Sequence, residues 1–178
     1  YDADLDLFTG AQNPGRLLFI KNIGNSTNPV WAAAVDNWQA LSFNVGPVPY
    51  FADIDGDGDY DLFVGDNNNM NFARNTGTSQ SPSFPSKQLN VPPVAGLTYY
   101  VPALGDIDGD GDYDMIIGSS AGTFIFVENT GTRNSPVWAS PIYNWKLGEG
   151  LSVGAGAFSA PEWADIDSDG DLDLFSGS

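Results

Sequence analysis

A thirteen-residue acidic motif occurs three times in this chain and limits the possible folds more than any other feature. It reads DIDGDGDYDLFVG at 53–65, DIDGDGDYDMIIG at 106–118 and DIDSDGDLDLFSG at 165–177. A second marker keeps the same spacing, because Asn22, Asn75 and Asn129 each begin an N-x-G turn. A proline also stands four residues before each acidic motif. Three markers in register establish an internal repeat of about 54 residues.

The segments between these markers predict short β-strands. Their apolar runs are a few residues long, rich in aromatic and branched side chains, and bounded by Gly, Asn, Pro or Ser. The 21 glycines and 12 prolines of the chain disfavour helices. Four strands in each repeat predict an all-β fold of β-propeller blades, each blade a sheet of four antiparallel strands. A solenoid is the alternative, but solenoid repeats are usually shorter, roughly 20 to 30 residues.

The repeat divides residues 1–178 into one domain of about three blades and 13 predicted strands. A partial blade at 1–45 precedes complete blades at 46–98 and 99–157, and a further blade begins at 158–178. Propellers usually close with about four to eight blades. We therefore expect one of two arrangements. The chain is part of a longer repeat protein, or several copies self-associate end to end in a ring or a filament.

The acidic motif predicts a site for a hard cation. In a regular strand its alternate aspartates would lie on one face, about 7 Å apart, and repel one another. Glycines within the motif permit a tight turn in which the carboxylates converge. The chain contains neither His nor Cys, and an all-oxygen ligand set favours Ca²⁺ over Mg²⁺. A solvated acidic turn without an ion is the alternative.

The motif begins like an EF-hand loop but does not continue as one. The twelfth position, which carries a bidentate carboxylate in an EF-hand, falls on Val64, Ile117 and Ser176. A strand also follows where an EF-hand has a helix. A strand–loop–strand site closed by the ninth residue fits better, and the closing acids are then Asp61, Asp114 and Asp173.

These loops, with the upstream proline and the downstream NTGT turn, resemble the FG-GAP/VCBS repeats of integrin α-subunit heads and many secreted microbial proteins. The resemblance implies propeller blades with calcium in the loop between the first and second strands of each blade. It also implies side-chain ligands at loop positions one, three, five and nine and a backbone carbonyl ligand at position seven. The implied ligands are Asp53, Asp55, Asp57 and Asp61 with the Asp59 carbonyl; Asp106, Asp108, Asp110 and Asp114 with the Asp112 carbonyl; and Asp165, Asp167, Asp169 and Asp173 with the Asp171 carbonyl.

The N-terminal segment predicts a fourth, partial calcium site. Alignment of DLFTG with DLFVG places Asp2, Asp4 and Asp6 at loop positions five, seven and nine. Three complete sites and this partial one contain 18 of the 23 acidic residues, so the net charge of -17 is mainly ligand charge. Such acidity predicts that the chain does not bind nucleic acid.

Catalysis by this chain is not expected. The absence of His and Cys removes the usual general base and thiol chemistry. Its acids recur in register, whereas the catalytic carboxylate pair of a glycosidase would be unique to one site. Glu128 aligns with Arg74 and Lys21 and therefore reads as a variable surface position. No segment approaches the roughly 20 apolar residues of a membrane span.

The sequence thus predicts a non-catalytic, calcium-binding β-propeller segment of a secreted or cell-surface protein. Its expected roles are adhesion, recognition of a protein or glycan ligand, or building an extracellular assembly. The alternative is an accessory propeller domain of a secreted carbohydrate-active enzyme, with catalysis elsewhere in the parent chain.

Overall fold

The computed structural model describes residues 4–146, 148, 150–154 and 157–178. Fourteen β-strands and a three-residue 3-10 helix, η1 (Trp38–Ala40), are assigned within these ranges. None of the helical turns there has the length and apolar character of a membrane-spanning helix. The strands are β1 (Leu7–Ala11), β2 (Gly15–Ile20), β3 (Val35–Asp36), β4 (Ser42–Phe43), β5 (Val48–Ala52), β6 (Asp61–Gly65), β7 (Met70–Ala73), β8 (Gln88–Leu89), β9 (Val101–Gly105), β10 (Asp114–Gly118), β11 (Phe124–Val127), β12 (Ile142–Tyr143), β13 (Ala160–Ala164) and β14 (Asp173–Gly177).

The strands form four sheets that follow one another along the chain. The first contains β1 to β4, the second has the order β5-β6-β7-β8, and the third has the order β9-β10-β11-β12. The fourth is the two-stranded pair β13-β14. Every pairing is antiparallel. The prediction of an all-β chain made of four-stranded antiparallel sheets is confirmed.

The first sheet differs from the prediction in its last strand. Of the 13 strands predicted for the chain, three belong to this partial blade, but β3 and β4 both pair with β2, β3 with its second half and β4 with its first half. Between them lies η1, where Asn37, Gln39 and Ala40 have φ of 53°, 59° and 55°. Left-handed residues turn the chain away from an extended path, and in this sheet the chain then returns to β2 as a second short strand.

Successive sheets pack face to face, with the hydrophobic core between them. Side chains alternate between the two faces of a strand, and both faces of β6 are buried. Leu62 and Val64 pack with Leu17 of the first sheet. Phe63, on the opposite face, packs with Met115 of the third sheet. The third sheet in turn packs on β13 and β14 through a smaller cluster, so the four sheets lie in the order of the sequence.

In three sheets, a glycine of the strand that follows the acidic segment (β1, β6 or β10) lies against the backbone just before the next sheet begins. A Cβ atom on Gly65 would lie 1.9 Å from the carbonyl oxygen of Tyr100, and one on Gly118 would lie 2.1 Å from that of Ser159. The same approach occurs in the first sheet, between Gly10 and Pro47. Real side chains do not tolerate such distances, so only glycine fits. Gly177, the equivalent residue of β14, has Ala160 Cβ at 3.9 Å as its neighbour.

Candidate metal centres

Three acidic loops join the first and second strands of their sheets and have the same backbone shape. We name them loop A (53–61), loop B (106–114) and loop C (165–173). Loop A contains Gly56 and Gly58 with φ of 69° and 90°, and the matching residues of loops B and C are also left-handed. A Cβ on Gly58 would meet nothing within 4 Å. Glycine is therefore favoured there by the turn conformation rather than by crowding. At the position of Gly56, loop C instead has Ser168, with φ 63°.

The turn brings the first three carboxylates of each loop together. One oxygen from each lies within 4.8 Å of the others in every loop. Backbone donors hold this arrangement in loop B, where the Gly111 N–H donates to Asp106 Oδ2 at 3.1 Å and the Asp112 N–H to Asp110 Oδ1 at 3.1 Å. The converging groups are Asp53, Asp55 and Asp57 in loop A; Asp106, Asp108 and Asp110 in loop B; and Asp165, Asp167 and Asp169 in loop C.

The ninth acid of loops A and B is buried where the second strand begins. Asp61 and Asp114 are each 1% exposed. Asp61 Oδ1 accepts the backbone N–H of Asn75 at 2.7 Å, and Asp114 Oδ1 accepts that of Asn129 at 2.8 Å. Asp114 Oδ2 also accepts the N–H of Ile107 at 3.3 Å. Asp61 Oδ2 has no hydrogen-bond partner, which leaves a buried carboxylate oxygen free for another ligand.

A buried carboxylate outside the loops, in contrast, has hydrogen-bond donors for both of its oxygens. Asp66, also fully buried, accepts hydrogen bonds from the backbone N–H groups of Asn44, Asn68 and Asn69 and from Asn71 Nδ2. Burial alone would raise the pKa of Asp66, but these hydrogen bonds outweigh it and lower the pKa. A buried anion without such partners is costly unless a cation or a proton neutralises it.

The ninth acids show the opposite net shift, because their pKa values are raised. Burial and, to a smaller extent, the nearby negative charge of Asp55 raise the pKa of Asp61 to about 7 against the hydrogen bond from the Asn75 N–H. Burial likewise raises the pKa of Asp114 to about 6. Without a cation, these carboxyl groups retain protons at a pH where ordinary aspartates are ionised. An oxygen-only cluster with this excess of negative charge fits a divalent cation such as calcium.

The remaining predicted acids differ in their surroundings. Asp59 and Asp112, at position seven, each have a buried side-chain oxygen without a hydrogen-bond partner, and burial is the first cause that raises their pKa values. Asp171 and Asp173 of loop C are exposed. At the other end of the chain, Asp4 and Asp6 are described, whereas Asp2 lies outside the described residues.

Asp6 repeats the contact of the other ninth acids. Its Oδ1 accepts the backbone N–H of Asn22 at 2.7 Å, as Asp61 and Asp114 accept those of their anchor asparagines. The alignment of the N-terminal segment with the second half of an acidic loop therefore matches the hydrogen bonding of that segment.

Two arginines that no sequence motif indicated lie at loop A. Arg74 Nη1 lies 2.8 Å from Asp55 Oδ2, and Arg133 Nη2 lies 3.8 Å from Asp53 Oδ2. The position of Arg74 was interpreted as a variable surface position, yet it directly precedes Asn75, which binds the ninth acid. That adjacency was a usable signal. Arg133 comes from the turn that follows β11, in another sheet, and no local pattern indicated its contact.

The raised pKa values predict an unusual pH dependence without calcium. Unfolded aspartates have pKa values of about 3.9, so the folded chain binds more protons than the unfolded chain between about pH 4 and pH 7. The free energy of unfolding must then decrease as the pH rises through this window. In excess chelator we expect a melting temperature several degrees higher at about pH 5 than at about pH 7.5.

Thermal melts in chelator at the two pH values test this expectation. The Asp61→Asn variant is the control and should lose part of the difference, because its side chain does not titrate. Saturating calcium should abolish the decrease, since the bound ion keeps the carboxylates ionised. A melting temperature in chelator that rises between the two pH values would contradict the prediction.

The acidic loops belong to a repeat that is known from other proteins. The model of the FG-GAP-like repeat matches residues 53–117 and again residues 106–176. The two matches overlap and together include loops A, B and C. Compared with curated proteins and with solved structures, the chain has no match.

Proposed function

Because the chain belongs to the FG-GAP-like repeat family, we propose that it is a non-catalytic, calcium-binding part of a β-propeller. Each sheet is then one blade, and the face-to-face packing of successive sheets supports this arrangement. One observation carries the calcium assignment. Asp61 is a buried carboxylate with an oxygen that lacks a partner, and the negative charges of Asp55 and Asp57 act on it.

Calcium would be held by the same positions in each loop. Bound there, the ion supplies charge neutralisation, and the chain contributes the turn that presents the ligands. The side-chain ligands are Asp53, Asp55, Asp57 and Asp61 in loop A; Asp106, Asp108, Asp110 and Asp114 in loop B; and Asp165, Asp167, Asp169 and Asp173 in loop C. Asp59, Asp112 and Asp171 contribute their carbonyl groups.

The proposed setting is extracellular. Extracellular calcium modules bind the ion at about 0.1 to 1 mM, and solvent-accessible loops such as loop C suit that range. The proposed role is adhesion, recognition of a protein or glycan ligand, or assembly.

Two uncovered sheet faces suit packing against a further sheet of the same kind. Phe175 of β14 is 46% exposed, whereas Phe63, at the equivalent position of β6, is 1% exposed. On the first sheet, Leu7 is 46% exposed and lies on the face opposite Phe8, which packs on Phe51 of the second sheet. A further repeat unit, from a longer chain or from another copy, would cover these faces.

Calorimetric titration with millimolar calcium tests the proposal. We expect saturable binding at loops A, B and C. The Asp110→Asn variant keeps a side-chain oxygen to accept the N–H of Asp112 but removes one ligand charge, so affinity at one site should fall about tenfold or more. Asp36→Asn is the matched control, because Asp36 pairs with Arg16 away from the loops. Absence of binding in the unmodified chain would overturn the proposal.

A further inference from the structure

Loop A differs from loop B in having guanidinium groups on its carboxylates. Arg74 lies at the end of the strand next to loop A and reaches Asp55 at 2.8 Å. Arg133 reaches Asp53 at 3.8 Å from the turn after β11. The same turn places the Asn134 amide 3.3 Å from where a Cβ on Gly56 would lie. Loop A is thus covered on one side by a segment of the next sheet.

Loop B has the same acids at the same spacing but no such partner. The residue equivalent to Arg74 is Glu128, which directly precedes Asn129 as Arg74 precedes Asn75. Across the ranges that the structure describes, no arginine or lysine forms an ion pair with a carboxylate of loop B. The position before the anchor asparagine therefore carries a positive charge beside loop A and a negative charge beside loop B.

The arginines act on the same oxygens that calcium requires. The side chain of Asp55 is 8% exposed, so solvent screens its pair with Arg74 only weakly. A divalent ion that binds loop A must displace this guanidinium or remain close to its positive charge. Both alternatives cost free energy that binding at loop B does not cost. Arg74 is itself half exposed, so its guanidinium can move into solvent when the ion enters.

We propose that Arg74, assisted by Arg133, is a built-in competitor for calcium that makes loop A the weaker of the two sites. This inference rests on the proposed calcium binding. Loop B then fills before loop A as calcium rises, and loop A empties first as calcium falls. Because Arg133 belongs to the third sheet, calcium entry at loop A also releases an ion pair between the second and third sheets.

Nuclear magnetic resonance can measure the two loops separately. The backbone N–H of Gly58 donates to Asp53 at 3.3 Å, and that of Gly111 donates to Asp106 at 3.1 Å, so each amide reports on its own loop. The calcium-saturated protein, which begins folded, is titrated with a chelator while both amide resonances are followed. In the unmodified chain, we expect Gly58 to change at a higher free calcium concentration than Gly111.

Charge exchange at the two equivalent positions tests the cause. Arg74→Gln should move the Gly58 midpoint about tenfold lower in calcium, equivalent to about 1.4 kcal/mol, and leave the Gly111 midpoint in place. Glu128→Arg should move the Gly111 midpoint in the opposite direction. Arg16→Gln removes the same charge far from both loops, where Arg16 pairs with Asp36, and should change neither midpoint.

The outcomes distinguish competition by Arg74 from calcium binding itself. If neither glycine amide responds to calcium in the unmodified chain, the proposed calcium binding fails. If both respond at one midpoint, or if Arg74→Gln leaves the Gly58 midpoint unchanged, calcium binding stands and the competition by Arg74 is wrong.

Discussion

Excess chelator should lower the melting temperature of the calcium-loaded chain by about 10 °C or more. Each loop contains five aspartates within nine residues, and the first three carboxylates converge. Without the ion these groups repel one another, and the buried Asp61 and Asp114 must remain protonated or lie uncompensated. A site filled at about 100 times its Kd contributes about 2.7 kcal/mol. In a chain of this size, each kcal/mol corresponds to roughly 2–4 °C.

Differential scanning calorimetry at neutral pH, with calcium and with chelator, measures this shift. Restoring excess calcium to the chelated sample is the control and should return the original melting temperature. An unchanged melt in excess chelator would contradict calcium-dependent stability.

The Gly118→Ala substitution should destabilise the chain by about 2–4 kcal/mol, equivalent to a melting temperature lowered by roughly 5–15 °C. A Cβ atom there would lie 2.1 Å from the carbonyl oxygen and 2.6 Å from the carbonyl carbon of Ser159. That backbone cannot retreat easily. Ser159 is fully buried, its N–H donates to the Ser119 carbonyl at 3.0 Å, and its Oγ accepts the Ser119 N–H at 2.8 Å.

Gly177→Ala is the matched control for this substitution. Gly177 occupies the equivalent place in β14, but its neighbour, Ala160 Cβ, is 3.9 Å from the position of the new atom. Alanine there is expected to be neutral or slightly stabilising, because it restricts the unfolded chain. Equal losses of stability in the two variants, measured by thermal and urea unfolding, would show that backbone contact between sheets is not the cause.

The repeat made much of the fold accessible from the sequence. Each acidic motif contains the glycines that turn the chain and the apolar residues of the strand that follows, so loop and strand are encoded together. Asn22, Asn75 and Asn129 recur at the same spacing because the Oδ1 of each accepts the backbone N–H of the glycine two residues later and of the residue eight positions later. Local, repeated information of this kind is sufficient to predict four-stranded sheets and the convergence of the acids.

What was not predicted depends on contacts between distant residues or on a single unit. The contact between Arg133 and Asp53 joins two sheets and leaves no trace in either local pattern. The return of β4 to the first half of β2 is a feature of the first unit, although left-handed asparagines stand at equivalent positions of all three units, namely Asn37, Asn90 and Asn144. Asp66 is specific to the second unit, and its role becomes visible only when the four asparagines that donate to it are assembled around it.

The contact between a strand glycine and the carbonyl of the next sheet has a consequence for how such chains evolve. It sets the distance between neighbouring sheets through main-chain atoms. That distance therefore does not depend on which apolar side chains fill the space between the sheets. Phe63 and Ile116 occupy equivalent core positions and differ in volume, yet the glycine contact beside each is nearly the same, at 1.9 and 2.1 Å. Duplicated units can therefore diverge in their cores while they keep a constant geometric step.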